Sequence, residues 1–251
     1  MHSYASAARS KRTPEAEPVP QTPKPLFIIL MLALTAAVIA AAIVASIRAK
    51  KRKAAFLDAL ALDGWSVTKK PDADAREHAY APAIPLSFPR AAKGLRTILE
   101  GRVAGRPLRV LEHAYTISTG NSSQTIFHLI AATPCPPTWP NLNLRHENLA
   151  HKIGALFGKS DIQLDDEAFN KKWRIDTDDE TFAILLLTPN VQQWLMQGDA
   201  RETWTIAGTW LMCARQKRLS EESFKDLAPR PAQLLDLLPK ELDLYTPEPP
   251  Q

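Results

Sequence analysis

The chain has 251 residues, of which 45% are hydrophobic and 23% charged, with a formal net charge of +4 and two cysteines. Two cysteines, Cys135 in TPCPPTWP and Cys213 in WLMCA, make neither a disulfide framework nor a metal cluster and fit a reducing compartment. The positive charge is not a nucleic-acid footprint: residues 1–53 carry nine Lys/Arg against two Asp/Glu, residues 54–251 carry 22 against 25, and the folded part is mildly acidic.

Residues 1–25 hold five prolines, several charges and little apolar content, a composition that predicts disorder. Leu26–Ile47, LFIILMLALTAAVIAAAIVASI, then runs 22 residues without a charge, a proline or a glycine. As a helix it is roughly 33 Å long, enough for the ~30 Å hydrocarbon core of a bilayer. A cleaved signal peptide is excluded by the length of the run, its start after 25 residues, and the RAKKRK that follows it in place of a small-residue cleavage site.

Five basic residues (Arg48, Lys50, Lys51, Arg52 and Lys53) crowd the carboxyl end of this span, and Lys24 lies near its amino end, with Arg9, Lys11 and Arg12 further back. The positive-inside rule puts the carboxyl-terminal domain in the cytoplasm of a cell with a single-pass cell-membrane anchor. The same five cations offer a contact for anionic lipid, alongside their role as a topology signal. Ala33, Ala37, Ala41 and Ala45 recur every four residues and give one helix face a small-residue seam on which two copies can approach as a homodimer.

Residues 54–245 suit one soluble domain, with TPEPPQ (246–251) a disordered tail. Ala54–Leu62 continues the membrane helix as a short amphipathic piece that stops near Gly64. Prolines 71, 82, 85 and 89 make 69–94 a surface connection with at most a short turn of helix. Leu95–Val103 and Leu108–Ile117 flank Ala104-Gly105-Arg106-Pro107 as a hairpin, and Thr125–Ala132 extends it to an antiparallel meander.

Leu149, Ile153, Leu156 and Phe157 predict an amphipathic helix over 144–157 ending at Gly158. Phe169, Trp173 and Ile175 alternate with polar residues and predict a half-buried strand. Thr177-Asp-Asp-Glu180 reads as a capping box, Thr188-Pro189 as the start of a further helix, and Trp204–Ala207 with Trp210–Ala214 as a hairpin around Gly208. A last helical stretch starts at Ser220, with Leu219 and Phe224 placed as a hydrophobic staple, and runs to Pro239. The order predicts an α+β domain: a mostly antiparallel sheet with packed helices behind one N-terminal transmembrane helix.

Several motifs fall one step short of chemistry. Gly154–Ser160 (GALFGKS) has three residues between its glycines where a phosphate loop needs four, and it closes a predicted helix where that loop would open one. His146 and His151 are five apart, which turns them about 140° from each other on a helix, whereas a zinc-protease pair needs a spacing of four. Asp161, Asp165, Asp166 and Glu167 lack the glycine and distal glutamate of a calcium loop. No Gly-x-Ser-x-Gly elbow occurs. His113 and His128 lie in neighbouring predicted strands and can meet across the sheet. Asn121-Ser122-Ser123 matches a glycosylation sequon that matters only outside the cytoplasm. No residue is therefore assigned a catalytic, cofactor-binding or metal-ligating role, and no cofactor is expected.

The stretch Asn141–Leu195, with its Phe169–Ile175 segment and Leu187-Thr188-Pro189 step, and the preceding Gly105–Tyr115, resembles a family of uncharacterised bacterial membrane proteins. The resemblance covers about half of the chain and implies a bacterial membrane location but no activity. The expectation is an anchored, non-catalytic binding domain with an unidentified protein partner. The alternative is a membrane-tethered hydrolase whose site is gathered from residues distant in sequence.

Overall fold

The computed structural model describes residues 25–80, 94–120, 122–146, 162–199 and 201–247. The first element, α1 (Pro25–Leu62), is a single helix that contains the whole predicted span. The apolar side chains from Phe27 to Ile47 are exposed, as a lipid-facing helix requires. Thr35, a polar residue within the run, donates its hydroxyl to the Met31 carbonyl at 2.8 Å, which satisfies it inside the helix. The chain divides into two units, Met1–Ala49 and Lys50–Gln251.

The second unit is an α+β domain built on one eight-stranded antiparallel sheet. Its strands are β1 (Ser66–Lys69), β2 (Leu95–Val103), β3 (Arg106–Thr119), β4 (Ser122–Pro134), β5 (Leu142–His146), β6 (Trp173–Thr177), β7 (Glu202–Ala207) and β8 (Trp210–Arg215), in the spatial order β1-β2-β3-β4-β8-β7-β5-β6. The expected meander is β2-β3-β4. The turn between β2 and β3 holds Ala104 and Gly105, both at positive φ (49° and 77°), the geometry of a type I′ hairpin.

The two faces of the sheet differ. On one, Leu99, Val110, Leu129, Leu144, Trp173, Trp204 and Cys213 build the main core under the helices. Phe56, Leu57 and Leu60, one face of the end of α1, are buried in it, which is why the anchor helix is amphipathic only there. The other face carries a smaller cluster that includes Leu95, Ile98, Leu111, Ile130, Met212 and Ala214, partly covered by α2 (Ala73–Tyr80) through Ala75 and Ala79. Register carries this second face across all the strands: Thr68, Ile98, Leu111, Ile130, Ala214, Thr203, Arg145 and Arg174 form one row, apolar in the middle and cationic at the β6 edge.

Five further helices follow: α3 (Glu167–Lys172), α4 (Glu180–Leu186), α5 (Pro189–Met196), α6 (Glu221–Leu227) and α7 (Arg230–Leu237), with a 3-10 turn at Lys240–Leu244. Four local expectations are corrected. Residues 144–146 belong to β5, so the predicted helix over 144–157 does not start there; its remainder, 147–157, lies outside the described residues. Phe169 is helical: Asp166 caps α3 by accepting from the amides of Ala168 and Phe169 at 2.8 and 3.0 Å, and only Trp173 onward is strand. Asp179, not Thr177, caps α4, accepting from the Phe182 amide at 2.8 Å, while the Thr177 hydroxyl donates to the Asn141 carbonyl. The terminal stretch is two helices, broken where Pro229 and Pro231 remove backbone donors.

Candidate functional site

A buried polar site within the second unit ties the C-terminal end of α1 to the sheet. Glu112 projects from β3 into the main core face and is 3% exposed. A carboxylate buried that deeply is tolerable only if its charge and lone pairs are met. Lys53, the last residue of the basic cluster, brings its ammonium to 2.5 Å from one oxygen. The Thr97 hydroxyl from β2 donates to that same oxygen at 3.3 Å, and the Leu219 backbone amide donates to the other at 2.9 Å. One carboxylate thus ties three distant parts of the chain: the membrane-proximal helix, the meander, and the connection from β8 to α6. Beside it, Phe56 and Trp65 pack on Phe224 with ring centroids 5.4 and 5.2 Å away, and Leu219 is buried, as its staple position predicts.

A second buried network lies at the β7–β8 end. Glu202 is fully buried and accepts from the guanidinium groups of both Arg215 and Arg230. Arg215 also donates to Asp226, and Arg230 lies over the Trp194 ring at 3.6 Å. Burial first, then the Glu202 charge, pushes the thiol of neighbouring Cys213 well above its ordinary value. Cys135 is pushed up to about 12 by burial. Both cysteines are therefore inert thiols rather than nucleophiles.

The predicted meeting of His113 and His128 occurs: they are cross-strand partners on the second face. The Tyr115 ring stacks on His128 with centroids 5.6 Å apart. Burial, then the charge of His113, holds His128 down to about 4, so its imidazole is neutral at pH 7. His146 is a β5 residue against Trp173 (centroids 4.1 Å) and not a helix residue, which removes the premise of a helical histidine pair; His151 lies outside the described residues. Asp166 is a helix cap, Glu167 pairs with Lys171, and Asp161 and Gly154–Ser160 lie outside the described residues. Among the described residues no three His, Cys, Asp or Glu side chains gather as a metal site.

The Glu112 junction was not found from sequence. Its only sequence signal is a lone acid at a position that alternation assigns to a buried face, between Leu111 and His113.

No protein-family model and no curated protein matches the chain. Among solved structures, the crystal structure of the mycobacterial trehalose monomycolate transport factor A is similar, with a TM-score of 0.50 and 10% identity over 80% of this chain and 97% of that one. The likeness is one of fold. Among the described residues, α1 is the one helix long and apolar enough to cross a membrane.

Proposed function

We propose that this protein is a single-pass membrane anchor presenting a cytoplasmic, non-catalytic domain that binds a protein partner. The observation that carries this reading is the commitment of the buried charges. Glu112 is engaged by Lys53, Glu202 by Arg215 and Arg230, and Asp176 by Arg145 at 2.7 Å. These ionisable groups neutralise one another and hold elements together, the opposite of a general acid or base held at a perturbed charge in an open cleft.

Cytoplasmic placement is supported by the basic cluster. Within it Lys53 is drawn to Glu112, which leaves Arg48, Lys50, Lys51 and Arg52 exposed for anionic headgroups, at about 1 kcal/mol each. The seam of Ala33, Ala37, Ala41 and Ala45 is exposed on the apolar helix and suits helix pairing. Nucleic acid is not a proposed partner, given the acidic balance of the domain. The bacterial origin rests on the sequence resemblance and accords with the mycobacterial source of the fold neighbour. That neighbour is named a transport factor, so a protein of a transport system is the first place to seek the partner.

Chemical cross-linking in native membranes followed by affinity capture of the full chain tests the reading. A defined membrane protein recovered in stoichiometric amount is expected. Turnover of ester, phosphoester or glycoside substrates by the purified chain, abolished by substitution of one of its carboxylates, would instead make it an enzyme.

A further inference from the structure

Beyond His113 and His128 the β3–β4 hairpin leaves the sheet. β2 pairs with β3 no further than His113, and β8 pairs with β4 no further than Leu129. β3 and β4 go on pairing with each other from Ala114↔Phe127 through Thr116↔Thr125 to Thr119↔Ser122. Among the described residues, no strand pairs with the outer edge of either from there to the turn. Thr116–Gly120 and Ser122–Thr125 are exposed, and the Thr116 and Thr125 hydroxyls bond each other at 3.1 Å across the arm.

Open strand edges are normally blunted by charge or proline. The outer strands of this sheet follow that rule: β1 ends in Lys69 before Pro71, and β6 carries Arg174 and Asp176. The arm does not. From Ala114 to Phe127 there is no Asp, Glu, Lys, Arg or Pro, in a chain that is 23% charged. A ribbon whose two edges are unpaired among the described residues can accept another strand.

We propose that the outer edge of β3 over Tyr115–Thr119 pairs antiparallel with the same edge of a second copy of this chain, about a two-fold axis at Ile117. Identical edges meet here without like-charge repulsion, whereas a charged partner strand finds no complementary group. The two-fold sets Ile117, 43% exposed, against the partner's Ile117, Thr116 against the partner's Ser118, and Tyr115 against the partner's Thr119. These are apolar, hydroxyl and aromatic–threonine cross-strand pairs of the favourable kind. Anchoring in one membrane raises the effective concentration of the second edge. The pairing requires neither a particular side of the membrane nor another protein, so it stands or falls apart from the function proposed above.

The test uses the full chain in phosphatidylcholine vesicles. Opposed residues of an antiparallel pair lie within disulfide range, and both native thiols are buried. Ile117→Cys is expected to give an oxidised dimer, Ser123→Cys on the β4 edge to remain monomeric, and Ile117→Cys carrying Thr116→Lys and Ser118→Lys, which set lysine against lysine across the two-fold, to lose that disulfide while keeping the wild-type circular dichroism. No disulfide at Ile117→Cys, a disulfide at Ser123→Cys in equal or greater yield, or a disulfide at Ile117→Cys that survives the paired lysines would each overturn the proposal.

Discussion

His128 is the residue whose proton has the clearest consequence for stability. An imidazole that titrates near 6.5 in the unfolded chain and near 4 in the fold is bound by fewer protons when folded between those values. Its stabilisation is complete above about pH 6.5 and is lost as pH falls toward 4, with a ceiling of about 3 kcal/mol. His146 is lowered as well, by burial and then Lys172, and acts in the same direction. The urea midpoint of the domain should therefore drop between pH 7.5 and 4.5, and His128→Gln should shrink that drop. An identical drop in the variant would show that other groups dominate.

Lys53 and Glu112 have unequal roles although they share one bond. Removing the ammonium strands a carboxylate in the core, whereas neutralising the carboxylate strands an ammonium that can turn to water. The Lys53 side chain is 31% exposed and that of Glu112 4%. Lys53→Met should cost about 3 kcal/mol in urea denaturation, and Glu112→Gln, which keeps an acceptor for the Leu219 amide, clearly less. Equal losses would mean that the pair acts by charge alone.

At the scale of single elements, turns and packing make sharper demands. Ala104 has φ 49° in the β2–β3 turn, a conformation that costs a side chain with a Cβ about 1–2 kcal/mol and that asparagine tolerates better. Ala104→Asn should raise the melting temperature, by the equivalent of about 0.5–1 kcal/mol. Gly101 is needed for a different reason. A Cβ there would lie 2.3 Å from the Trp65 ring, which is itself held edge-on to Phe224. Gly101→Ala should cost about 1–3 kcal/mol and broaden the tryptophan fluorescence.

These elements also show what the sequence reveals and what it conceals. The Ala104-Gly105 and Gly208 hairpins and the Ser220 helix start were legible because their determinants are local: turn residues at a fixed spacing, and a serine side chain that accepts from the amide three residues on. The Phe169–Ile175 stretch misled because Phe169 and Trp173 are four apart, a spacing that suits a helix face as well as alternate strand positions. The Asp166 cap decides between the two. β5 was missed although Leu142 and Leu144 alternate with Asn143 and Arg145, because the apolar period further along drew the helix boundary back over it. β1 has only four residues, too few for any period. The Glu112 junction was illegible for a deeper reason: two of its three partners, Lys53 and Leu219, lie 59 and 107 residues away, and nothing local encodes that distance.

For the whole molecule, the charge asymmetry is the property with the largest reach. The basic residues sit beside the apolar helix, and the domain behind them is slightly acidic. A reporter active only outside the cytoplasm, fused after residue 251, should stay silent. Replacing Arg48, Lys50, Lys51 and Arg52 by glutamine leaves the cluster with Lys53 alone and should yield a measurable fraction of inverted, reporter-active molecules. Activity in the unsubstituted protein would reverse the orientation.

The strand order β4-β8-β7-β5 also places a late-made strand at an early-made edge. The β2-β3-β4 meander can form as soon as residue 134 is free. Its β4 edge is then without its neighbour until Trp210–Arg215 arrives to pair with Leu129–Pro134. At ~5–20 residues per second the ribosome leaves that edge open for roughly 4–16 seconds, with the apolar helix already synthesised. The nascent chain therefore spends that interval as a half-sheet with a sticky seam. Truncation before Trp210 would make the condition permanent, so such fragments should aggregate rather than accumulate as a smaller folded domain.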